Sequence, residues 1–147
     1  MDKNKAELLF KKGYNCAQSV FCAVCEDFGI DFETGLKLSS GLGGGMGKLR
    51  EVCGAVSAMF LLTGLKDGYT DPSDDISKQA LYEKIQKLAK RFETEFGSII
   101  CADLLGEERG AKPPVPTKRT EIFYEERPCS KFVGRCYEIF REEFLKN

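Results

Sequence analysis

Apolar residues in this chain recur at helical intervals, and no segment alternates apolar and polar residues as a half-buried strand would. Leu81, Ile85, Leu88 and Phe92 follow one another at intervals of four, three and four, with Glu83, Lys84, Lys87 and Lys90 turned toward water between them. Phe132, Val133, Cys136, Ile139, Phe140 and Phe144 form a second stripe of the same kind. This pattern predicts an all-α fold, a compact single-domain bundle of about six to seven helices. The 147 residues suffice for one domain, 1–147, with a real core, and are short for two.

Glycines, prolines and capping residues divide the pattern. A short helix over Lys5–Lys12 is ended by Gly13. Asn15 caps a second helix from Cys16 to about Phe28, closed by Gly29, and Asp31 caps a third from Phe32 to about Ser40. A glycine-dense stretch, Ser40–Gly47, then interrupts. The spacing of Val52, Val56, Met59, Phe60 and Thr63 predicts a helix from about Arg50 to Leu65, whose small Gly54, Ala55, Ser57, Ala58 and Gly64 admit close neighbours. Asp71-Pro72-Ser73-Asp74 starts a long helix over Ser73–Phe96. Gly97 ends it, and Ser98 caps a short helix holding Cys101, Leu104 and Leu105. Gly106–Thr120, with Pro113, Pro114 and Pro116, reads as surface loop, and the irregular region runs to about residue 127. Ile122-Phe123-Tyr124 is a short extended piece or an anchor for that loop. Pro128 opens the last helix, from about Cys129 to Leu145.

Composition removes whole classes of function. Lys and Arg number 22 against 23 Asp and Glu, so there is no electrostatic footprint for nucleic acid. The longest apolar stretch, Ala55–Leu62, is less than half the roughly 20 residues of a spanning helix, so no membrane insertion is expected. Met1-Asp2-Lys3-Asn4-Lys5 is charged and no apolar core of a signal follows it. A cytoplasmic location is expected, where thiols stay reduced. Seven cysteines there call for packing, metal ligation or transient redox chemistry. The chain has no histidine, which excludes Ser-His-Asp and Cys-His catalysis and removes the commonest zinc ligand.

The cysteines fall into two groups. Cys22 and Cys25 form a Cys-x-x-Cys, but inside a helix beside Val20, Phe21 and Val24, without the strand that precedes a thioredoxin-like site. They read as packing, as does Cys136 on the last apolar stripe. Cys16, Cys53, Cys101 and Cys129 each stand at an inferred helix start, where free amides and about half a positive charge favour a thiolate. Their separations of 37, 48 and 28 positions fit neither a zinc finger nor a ferredoxin run. Lys48 and Arg50 lie near Cys53, and Arg127, Lys131 and Arg135 flank Cys129, so lowered thiol pKa values are expected where these cations face the sulfur.

Gly41-x-Gly43 is half of a dinucleotide fingerprint, but position 46 is methionine and no strand precedes it. A structural turn, or a backbone nest for an anion, cluster or reactive sulfur, fits better. Gly43, Gly44, Gly45, Gly47 and Gly54 are the candidate cradle.

Asn15-Cys16-Ala17-Gln18-Ser19-Val20, Ser40–Gly47, Glu51-Val52-Cys53-Gly54-Ala55, Phe96–Cys101 with Leu104-Leu105-Gly106, and Cys129 together resemble the C_GCAxxG_C_C family of redox-active bacterial and archaeal proteins. The resemblance runs from about Gly13 to the final helix and places the family cysteines on Cys16, Cys53, Cys101 and Cys129. Ala58 stands where the family motif ends in glycine.

Thiol redox is the leading expectation: two of the four cycle between dithiol and disulfide, with Cys53 the low-pKa attacker, in exchange with a thiol-redox partner protein. The alternative is a four-thiolate site in which Cys16, Cys53, Cys101 and Cys129 hold zinc or an iron–sulfur cluster, the glycine loop donating N–H groups to its sulfurs. A third reading is a non-catalytic interaction module. The aromatic last helix, with Phe132, Tyr137, Phe140 and Phe144, serves a homodimer interface as readily as a core.

Overall fold

The computed structural model describes residues 4–145; Met1–Lys3 of the charged N-terminal segment and Lys146–Asn147 lie outside that range. Its elements are α1 (Lys5–Lys11), α2 (Cys16–Val24) continued by a 3-10 turn (Cys25–Phe28), α3 (Phe32–Ser40), the glycine turn α4 (Gly43–Met46), α5 (Gly54–Asp67), α6 (Asp75–Phe96), α7 (Cys101–Leu105), α8 (Glu121–Glu126) and α9 (Cys129–Phe144). Leaving out α4, whose Gly44 and Gly45 are left-handed, eight helices make the described residues all-α, slightly more than the pattern predicts. No described helix is long and apolar enough to cross a membrane.

Local chemistry fixes most boundaries. Asn15 accepts from Gln18 N at 2.9 Å while the Gln18 side chain accepts from Asn15 N, a reciprocal cap that starts α2 at Cys16. Asp31 accepts from Thr34 N at 3.1 Å and starts α3. Asp71 is spent on a turn, accepting from Ser73 N at 2.9 Å, so Asp74 becomes the cap and α6 begins at Asp75 rather than Ser73. Thr120 caps α8 by accepting from Phe123 N, so Ile122-Phe123-Tyr124 is helical, not extended. The helix predicted from Arg50 begins only at Gly54. Arg50 is left-handed (φ 60°), and Val52 pairs antiparallel with Ile100 in an isolated bridge.

Helix α2 packs against α1, α3, α5 and α9, and α5 also meets α6 and α9. The small residues of α5 allow this, since Ala55, Ala58 and Met59 are fully buried together with Val20, Leu88, Phe92, Val133 and Phe140. Phe132, Tyr137 and Phe140 of α9 are also buried in this chain's own core, with Phe144 partly buried at its edge. Phe132 meets Phe92 and Phe96 edge-on at 5.7 and 5.0 Å.

A cavity walled by four helix-start thiols

Three cysteines are the first residue of a helix, Cys16 of α2, Cys101 of α7 and Cys129 of α9, and Cys53 is the residue capping α5. The Val52–Ile100 bridge sets two of them in register. Cys53 N donates to Ile99 O at 2.8 Å, and Cys101 N donates to Glu51 O at 2.6 Å. The starts of α5 and α7 are thereby tied side by side. Asn15 Nδ2 donates to Ser40 O and Gln18 Nε2 to Leu36 O, which anchors the start of α2 on α3.

All four sulfur-bearing residues line one cavity of about 670 Å³. Gly43, Gly44, Gly47 and Gly54 share its wall, as do Lys48, Arg50, Arg119, Arg127, Pro114 and Pro116. Gly45 does not. It is buried beneath, where an added Cβ would stand 2.6 Å from Cys101 Cβ. Cys22, Cys25 and Cys136 are buried off the cavity, as a packing role requires. Cys22 and Cys25 sit against Gly35, where a Cβ would lie 3.0 and 2.7 Å from their sulfurs.

The expectation of lowered thiol pKa values fails at Cys53, Cys101 and Cys129. Burial, with the Cys16 thiol next in effect, pushes Cys53 well up, and only 5% of Cys53 is exposed. The amides of Val56 and Ala55 oppose this, but neither makes a formal hydrogen bond to the sulfur. Cys101 is raised by burial although Arg50 Nη1 approaches its sulfur at 3.9 Å, and burial pushes Cys129 to about 11 against the pull of Arg127. Desolvation of a thiolate outweighs the helix ends here. Cys16 and Cys129 are the two half-exposed thiols of the set.

Part of the glycine stretch closes on itself as a turn. Met46 N, Lys48 N, Arg50 N and Glu51 N donate to Leu42 O, Gly43 O, Gly44 O and Gly45 O, so these amides are spent inside the loop and are not free for a sulfur. Among the described residues, no three Cys, Asp or Glu side chains come together as ligands of one ion.

Two contributors escape a linear reading. Arg50 stands close in sequence to Cys53 but is buried against Cys101, its Nε donating to Glu107 Oε2 at 2.8 Å. Arg119 reaches the cavity from the far loop, held by Phe10 O and Tyr14 O, and no local pattern marks it. Of the cations flanking Cys129 only Arg127 lines the cavity. Arg135 pairs with Glu95 and Glu142 instead.

The described residues form an all-α scaffold that brings four cysteines, far apart in sequence, to the wall of one cavity. The chain is a member of the family described as "Putative redox-active protein (C_GCAxxG_C_C)", whose profile matches residues 14–143. No curated protein and no solved structure matches it.

Proposed function

We propose that the protein is a thiol oxidoreductase in which Cys16 and one of Cys53, Cys101 and Cys129 cycle between dithiol and disulfide. The observation that carries this reading is that four thiols, from four separate helix starts, line a single cavity. Cys16 takes the attacking role that sequence assigns to Cys53, because it is half-exposed and Cys53 is buried. Its sulfur lies against Gly54, the residue after Cys53, and we take Cys53 as the resolving thiol on that ground.

The cycle balances without a metal. The Cys16 thiolate attacks one sulfur of a disulfide R–S–S–R, forming a mixed disulfide and releasing R–S⁻. Cys53, losing its proton, attacks the Cys16 sulfur and releases the second R–S⁻. The substrate gains two electrons and becomes two thiols once the two protons lost by the cysteines reach them. Reduced protein treated with mild disulfide oxidant should lose one pair of titratable thiols and regain it with dithiothreitol, and Cys16→Ser should abolish the loss. A thiol count that does not change in pairs ends this reading.

A cluster reading keeps one specific support: a shared cavity walled by four thiols is roomier than one ion requires, as an iron–sulfur cluster would need. Ligation would strip the thiol protons that burial now retains. Protein prepared without air would then be coloured and contain iron and sulfide in stoichiometric amount. Colourless, iron-free protein excludes it.

A further inference from the structure

The cavity wall carries four cationic side chains, Lys48, Arg50, Arg119 and Arg127, and no aspartate or glutamate. In a chain with 22 basic and 23 acidic residues this segregation is not a sample of the composition. Elsewhere cations find carboxylates: Arg91 pairs with Glu142 and Glu143, Arg135 with Glu95, Lys84 with Asp67. On the cavity, among the described residues, only Arg50 does, through Glu107.

The other three are positioned by neutral groups. Lys48 Nζ donates to Val115 O at 2.6 Å and reaches Thr117 Oγ1 at 3.4 Å. Arg119 donates to Phe10 O and Tyr14 O and lies over the Phe10 ring at 4.3 Å. Arg127 lies 5.5 Å from the centre of the Phe123 ring. Among the described residues no carboxylate comes within 4.0 Å of any of the three. Uncompensated cations on a concave, low-dielectric wall focus a positive potential that concentrates anions.

The wall also argues for size. A volume of about 670 Å³ falls in the range of small-molecule sites. The loop holding Pro114 and Pro116 is tied across to the glycine turn, by Lys48 to Val115 and by Lys112 N to Lys48 O at 3.0 Å.

Resting on the thiol-redox reading, we propose that the substrate is a small disulfide bearing carboxylates, which lie against Arg127 and Lys48 while its S–S bond faces Cys16. One turnover converts R–S–S–R and two protein thiols into two R–SH and one protein disulfide.

Three short disulfides of different charge test this on the reduced protein: dithiodipropionate (a dianion), hydroxyethyl disulfide (neutral) and cystamine (a dication). Each oxidation rate is divided by that of mercaptoethanol with the same reagent, which removes intrinsic reactivity. The expected order is dianion, neutral, dication, with roughly ten-fold or more between the ends. The spread should shrink as salt is added. Arg127→Gln should narrow it and Arg127→Lys keep it, both read beside a far-UV melt. Equal normalised rates, or a preference for cystamine, overturn the proposal. Suberate, which replaces the S–S bond with two methylenes, separates the two readings by its binding to the Cys16→Ser protein in a calorimetric titration. Suberate binding without oxidation by any disulfide leaves an anion site but ends the redox reading, and with it the disulfide as substrate. Oxidation with no charge order and no suberate binding keeps the redox reading and ends this one.

Discussion

One missing carbon at Gly54 decides where the Cys16 sulfur can stand. A Cβ there would lie 2.6 Å from Cys16 Sγ and 2.8 Å from Leu42 O, and the second contact is backbone that does not yield. The requirement is space, so the helix propensity that alanine adds, at most about 1 kcal/mol, works against an overpacking cost of about 1–3 kcal/mol. Gly54→Ala should therefore lose about 1 kcal/mol in denaturant unfolding and change the alkylation rate of Cys16 in a mass-mapped time course. A Cys16 rate equal to the wild type would show that the contact does not position the sulfur. Ser57 makes the opposite case. Its buried hydroxyl has no partner among the described residues, and such a group costs about 1–3 kcal/mol. Ser57→Ala should be neutral or stabilising by about 1 kcal/mol, and a loss larger than that would mean that the hydroxyl is bonded in solution. Neither contact is legible in sequence, because both depend on what a neighbouring helix brings to the spot. That Cys16 and Cys129 would start helices was legible, since Asn15 and Pro128 act within a turn.

Among the elements, α6 and α9 show which contacts carry the stability. They meet through both charge and rings: Arg91 and Arg135 reach Glu142, Glu143 and Glu95, while Phe92 and Phe96 pack on Phe132. The ion pairs are partly open to water and are worth at most about 1 kcal/mol each. Phe92 is fully buried, and Phe→Ala in such a site costs about 3–5 kcal/mol. Phe92→Ala should accordingly lower unfolding free energy by several times the change from Arg135→Ala; comparable losses would put the junction on its charges. Both helices could be read from their apolar stripes, for periodicity reports a buried face directly. The start of α5 could not. Residues 50–53 fit the helical spacing, but the Val52–Ile100 bridge and the left-handed Arg50 take them out of the helix, and that pairing joins segments 48 positions apart. It is the same pairing that brings Cys53 beside the start of α7, so the element that misled the pattern is the one that builds the cavity.

For the molecule as a whole, seven reduced thiols in a small fold make alkaline stability a signature of the fold itself. Burial raises Cys22 to about 12 and Cys129 to about 11, and raises Cys25, Cys53, Cys101 and Cys136 as well, all from an ordinary thiol value of 9.0. A raised thiol pKa means that the folded chain keeps a proton which the unfolded chain gives up. The unfolded state then binds fewer protons, and stability falls with rising pH. The contribution is whole below about pH 9 and is lost progressively as pH climbs toward 11 and 12. Acid acts through other groups, since Asp67, Glu142 and Glu143 are held below the usual carboxylate range by Lys84, Arg91 and Lys87, and that support is lost as they protonate. The melting temperature of the reduced protein should therefore be level near neutrality and drop above pH 9. Lysines also lose charge in the upper part of that range, so the informative quantity is the difference between wild type and Cys22→Val, which removes one titrating thiol that does not line the cavity. The variant's alkaline slope should be shallower. Parallel slopes would mean that the buried Cys22 proton is not part of what holds the fold together at high pH.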